Sequence, residues 1–140
     1  SAIILSRENN AYKLYVRDIA AARLRADLVT ISACRSAGAR AFSGEGLVGF
    51  AWGFLHAGAR GVIAGMWEVS DRHTAELMET LYRSLAAGQK PASALRESKL
   101  RFVQAGGNLR KPYNWAAFQL YTRNLNHLSV AAPRVKRSPS

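Results

Sequence analysis

Apolar positions fall into two kinds of run along this chain, short continuous blocks and longer stretches that repeat at helical spacing. Residues 2–5 form a short apolar block, and residues 12–16 alternate around Lys13. The turn-forming stretch 7–10 separates them, so strand, loop, strand is the economical reading. Residues 18–24 are alanine-rich and predict a short helix that ends before Asp27. Residues 28–32 then have the continuous, β-branched character of a strand buried on both faces.

Residues 35–46 carry small and polar side chains with no periodicity and read as a loop. From Leu47 the apolar positions Leu47, Phe50, Ala51, Phe54 and Leu55 share one helical face, and Gly58 supplies the stop. Residues 61–66 are a second buried strand. It is reached through a helical crossover and is therefore expected to run parallel to the first. Ser70 or Asp71 can cap the next helix, whose inner face is Leu77, Met78, Leu81, Tyr82 and Leu85 and which Gly88 ends. Pro91 suits the first position of another helix, with Leu95 and Phe102 on its inner side, and Gly106 and Gly107 break it. Residues 115–122 predict a last strand. Beyond Arg123 the composition turns to serine, proline and basic residues, and disorder is expected there.

Composition adds further limits. The 49% apolar content of 140 residues supports one packed domain. No apolar run approaches a membrane span, and the first residues lack the charged start of a signal peptide. The single cysteine excludes an internal disulfide framework and suits a reducing compartment, so a cytoplasmic location is expected. The net charge of +11 would suit nucleic acid, but the cations are dispersed and no aromatic residues interleave with them. Solvated surface charge is the better account. The chain opens on Ser-Ala-Ile-Ile-Leu without methionine, which suggests a piece of a longer protein.

The candidate chemistry centres on Cys34, at the carboxyl end of the first buried strand, where open α/β sheets place their ligand crevice. A thiol there is either a small buried hydrophobe or a nucleophile; the second role needs access and a base or positive field. Trp67 and Glu68 follow the second buried strand and open on the same edge. Of the three histidines, His56 faces away from the buried side of its helix, His73 lies in a first helical turn, and His127 is in the tail. The run Gly44-Glu45-Gly46-Leu47-Val48-Gly49 also matches a dinucleotide fingerprint. That fingerprint must follow its strand directly, and here a long loop intervenes.

Ala33-Cys34-Arg35 approaches the caspase signature. Together with Ile31 to Cys34, Gly44 to Leu47, Gly58 to Arg60, Trp67 to Asp71 and Trp115 to Phe118, in that order, the pattern resembles the CHAT family of caspase-like cysteine peptidases. The resemblance implies an α/β fold: a caspase-like, mostly parallel sheet with helices on both faces, a three-layer sandwich. Residues 1–123 would be the C-terminal part of that domain, with residues 124–140 a basic tail. It implies a thiol protease acting on a polypeptide substrate, with Cys34 as nucleophile and no metal or organic cofactor. Trp67 would wall the groove for the residue before the scissile bond, and Glu68 would make an acidic contact there. The family's His-Gly motif is absent from these residues, and its position in the family falls before Ser1. The resemblance also implies fused or associated TPR-type helical repeats, while composition points to no membrane and no nucleic-acid partner. A non-catalytic caspase-like interaction module is the alternative, and a Rossmann-like dinucleotide binder a third reading.

Overall fold

The structure, a computed structural model, describes residues 2–8, 11–32 and 45–123. The first two strands, β1 (Ala2–Glu8) and β2 (Ala11–Tyr15), pair antiparallel with Ala2 opposite Tyr15 and Ile4 opposite Lys13. The chain passes directly into α1 (Val16–Ala21), two residues earlier than the alanine pattern predicts. The cause is Asp18, the third residue of the helix, whose Oδ2 accepts from the Tyr15 N–H at 3.1 Å. An acidic group there satisfies one orphan donor and complements the positive end of the helix dipole. Extended backbone at Ala22 (φ −74°, ψ 157°) ends the helix short of Leu24.

The main sheet is built from β3 (Val29–Ile31), β4 (Gly61–Gly65) and β5 (Phe118–Thr122), in that spatial order. Between β3 and β4 the chain passes through α2 (Glu45–Ala57). Between β4 and β5 come α3 (Asp71–Ala86), α4 (Pro91–Ala105) and a 3-10 turn at Pro112–Asn114. β3 and β4 run parallel, with Val29 opposite Val62 and Ile31 opposite Ala64, as a helical crossover requires. β5 runs antiparallel to β4, Gly65 facing Phe118, so this sheet is mixed.

Alternation along the strands feeds two cores. Val62 and Ala64 join Val29, Ile31 and Tyr121 under Leu47 and Ala51 of α2. Ile63, Phe118 and Leu120 face the other way, against Leu77 and Leu81 of α3 and Leu95 and Phe102 of α4. Helices therefore cover both faces of the sheet, and the fold is α/β in three layers. Every residue of β4 is buried, which explains its unbroken apolar run. A third cluster of Ile19, Phe50 and Ala57 with Leu14 fastens α1 and β2 to α2. Gly53 makes that approach possible: a Cβ there would lie 3.1 Å from Val16 Cγ1.

The element ends follow the local chemistry. Ser70 caps α3, its Oγ accepting from the His73 N–H at 3.3 Å. Pro91 occupies the first turn of α4, and Gly88 and Gly106 take positive φ after the two helices. Two further expectations are corrected. Tyr82 is not on the inner face of α3; it is exposed, and its hydroxyl hydrogen-bonds that of Thr30 on β3. The last strand begins at Phe118 rather than Trp115, because the Trp115 and Ala116 N–H groups both turn back to the Pro112 carbonyl. The tail, residues 124–140, lies outside the described residues.

Candidate active site

The parallel register of β3 and β4 defines one edge of the sheet. Ile31 and Ala64 are the last paired residues, and both strands point their carboxyl ends the same way. Counting along the chain, Cys34 and Trp67 each stand three positions beyond that pair. Cys34 itself lies outside the described residues, as do residues 33–44 and His127. Trp67 and Glu68 leave β4 at this edge, and both are exposed.

Trp67 is exposed but held. Its indole is 41% accessible, yet Nε1 donates to the Tyr113 carbonyl at 2.9 Å. The two rings lie 6.3 Å apart at 28°. Tyr113 belongs to the 3-10 turn that leads into β5, so the segments flanking two adjacent strands meet in one aromatic pair. Trp115 is anchored separately, Nε1 to the Arg110 carbonyl at 3.1 Å. Beneath the edge, half-buried Met66 accepts from the Tyr121 hydroxyl at 3.0 Å. An aromatic surface fixed in this way can bound a groove without losing side-chain freedom when something binds. The motif spacing identified Trp67, but its pairing with Tyr113, 46 residues on, is not readable from the sequence.

The two described histidines differ. His56 is exposed on α2 and stacks on Trp52, with ring centroids 4.9 Å apart, as the helical angle predicts. His73 is not the freely exposed first-turn residue that the sequence suggests. Its ring turns inward, edge-on to Phe102 at 6.2 Å, and its Nδ1 lies 3.1 Å from Asn114 Oδ1. Asn114 in turn donates through Nδ2 to the Asn108 carbonyl at 2.7 Å.

The described residues do not show the fingerprint geometry. β3 ends at Ile31 and α2 begins at Glu45, a separation in sequence longer than the tight turn that the fingerprint requires. The fingerprint's third glycine permits close helix–strand packing, yet a Cβ at Gly49 would meet nothing within 4 Å.

A family model of the CHAT domain matches residues 1–123. The chain belongs to the CHAT-domain family. That family is caspase-like, in keeping with the three-layer arrangement. The chain is also similar to tetratricopeptide repeat protein 28 of Mus musculus, 33% identical over 107 residues, which is 76% of this chain and 4% of the mouse protein. The protein of the same name from Homo sapiens is 28% identical over the same length and share of each chain. The chain thus spans a small fraction of these relatives. Among the described residues no helix of the CHAT domain is long and apolar enough to cross a membrane.

Proposed function

We propose that this CHAT domain is a cysteine endopeptidase in which Cys34 is the nucleophile and a histidine preceding Ser1 is the base. The observation that carries the reading is the shared edge: the strand leading to Cys34 and the strand leading to Trp67 and Glu68 run parallel and in register. A Cys34 thiolate would attack the peptide carbonyl, and backbone N–H groups beside it would hold the oxyanion. The histidine would deliver a proton to the leaving amine, and water would then hydrolyse the thioester. Trp67, fixed on Tyr113, would wall the groove for the side chain before the scissile bond. Glu68 would attract a basic group there.

The names of the relatives support a further part of the proposal, that the domain works beside tetratricopeptide repeats. The test compares turnover of a mixed peptide library by this chain, by a protein extended upstream through a His-Gly segment, and by the extended Cys34→Ala variant. Turnover by the extended protein alone supports the peptidase. An extended protein that is inert even with its repeats present would favour the non-catalytic interaction module.

A further inference from the structure

Among the described residues β5 forms one edge of the three-stranded sheet. The Met66 N–H to Ala117 carbonyl bond (2.9 Å) and the Arg123 N–H to Arg60 carbonyl bond (3.4 Å) continue the β4–β5 ladder at its two ends. In an antiparallel pair, successive residues alternate between facing the partner strand and facing away. Gln119 and Tyr121 therefore turn their peptide groups to β4, while Phe118, Leu120 and Thr122 turn theirs outward. An edge of this kind is a template for an added strand.

Beside that edge α4 overhangs a groove of about 430 Å³. Leu100 and Val103 of α4 line it with Trp115 and Leu120, and Arg96 and Lys99 contribute its cationic side. Among the described residues neither cation has an ion-pair partner. Lys99 is half-buried, and burial lowers its pKa from the usual lysine value. A cation drawn partly out of water without a counter-ion is unfavourable, and a carboxylate arriving from outside would offset that cost.

We propose that the β5 edge and the adjoining α4 groove form a docking site for an extended acidic segment of a partner polypeptide. The segment adds as a strand outside Leu120, seats an apolar side chain in the groove and places a carboxylate between Arg96 and Lys99. Side chains two positions apart on a strand share a face and stand about 7 Å apart, so one short segment can supply both groups. Charge selects this occupant over two nearer ones. Residues 124–140 follow β5 directly but carry Arg134, Lys136 and Arg137 and no acidic residue. A second copy would bring its own Arg96 and Lys99 to the shared rim. The proposal does not depend on the peptidase reading.

The test uses the full chain and a probe, fluoresceinyl-Thr-Val-Thr-Asp-Thr-Leu-Thr-Glu-Thr-amide, read by fluorescence polarisation. The expected result is micromolar binding, weakened roughly tenfold or more by Lys99→Glu or Arg96→Glu. Binding should also fail when Asp and Glu of the probe become Lys, and when alternate probe amides are N-methylated so that charge remains but pairing is blocked. Alkylating Cys34, the single cysteine, should leave it intact; loss on alkylation would place the probe in the Cys34 groove and overturn the proposal. Equal binding of the N-methylated probe would reduce the effect to bulk charge and also overturn it. So would Lys99→Glu binding as tightly as the parent, or sedimentation showing a dimer that the probe does not dissociate.

Discussion

The imidazole of His73, in the first turn of α3, meets the side-chain oxygen of Asn114 across 3.1 Å. Asn114 spends its own amide hydrogens on the Asn108 carbonyl, so its oxygen faces the ring and Nδ1 is the donor. The contact joins the start of α3 to the segment that carries Tyr113, the residue on which Trp67 rests. His73 is thus a support behind the sheet edge.

His73→Ala would leave the Asn114 oxygen, in a residue only 7% exposed, without its donor. The expected cost is about 1–3 kcal/mol, read from urea unfolding midpoints. An unchanged midpoint would show that the contact supports nothing. In the extended protein the same variant should keep turnover within a few fold, since the ring is committed to Asn114.

Gly58 is the most demanding backbone position among the described residues. It sits at φ +121°, and an added Cβ would lie 2.3 Å from the Leu24 carbonyl oxygen. The neighbouring Leu24 N–H to Ala57 carbonyl (2.8 Å) and Arg60 N–H to Ala26 carbonyl (2.9 Å) bonds hold the two segments together. Gly58→Ala therefore has to move backbone, and a loss on the order of 3 kcal/mol or more is expected. Thermal unfolding measures it; a shift no larger than that of an exposed Gly88→Ala control would contradict the close approach.

Lys99 gives the pH dependence. Burial lowers its pKa in the fold, so between that lowered value and the usual 10.5 the unfolded chain binds more protons than the folded one. Stability contributed through this group therefore rises with pH across that window, and the cost of the buried charge is fully present below it. Lys99→Met removes the cost and should be more stable than the parent at neutral pH, with the difference shrinking as pH rises. Urea unfolding of both proteins from neutral to alkaline pH tests this. A variant less stable at neutral pH would mean that the ammonium has a favourable partner.

Much of the fold was legible because local signals agreed with it. The unbroken apolar run at Gly61–Gly65 marked a strand buried on both faces, and the helix before it implied a parallel partner. Ser70 and Pro91 marked helix starts by the hydrogen bonds that they can and cannot make. Periodicity does not encode direction, so the antiparallel course of β5 was not readable. Nor were the roles of Tyr82 and His73, whose partners Thr30 and Asn114 are 52 and 41 residues distant. At the candidate site the motif order indicated Trp67 and Glu68, while the pairing of Trp67 with Tyr113, 46 residues distant, emerged only from the hydrogen bond that holds the indole.

That hydrogen bond permits the most direct test of the groove. In the extended protein, Trp67→Ala removes the proposed wall and should lower kcat/KM roughly tenfold or more. Trp67→Phe keeps a ring against Tyr113 but loses the Nε1 donor to its carbonyl, so a smaller loss is expected, with thermal stability close to the parent. Glu68 is exposed, so Glu68→Gln should leave folding unchanged and weaken only substrates with a basic residue before the cleaved bond, by about tenfold. Cys34→Ala should abolish turnover of every substrate without altering the unfolding midpoint. The comparison is kcat/KM across a panel of peptides that differ only at that one position. If Trp67→Ala turns over the panel at the parent rate, the indole is only a brace between β4 and the 3-10 turn. If Glu68→Gln slows neutral and basic peptides alike, Glu68 acts through the fold and not on the substrate.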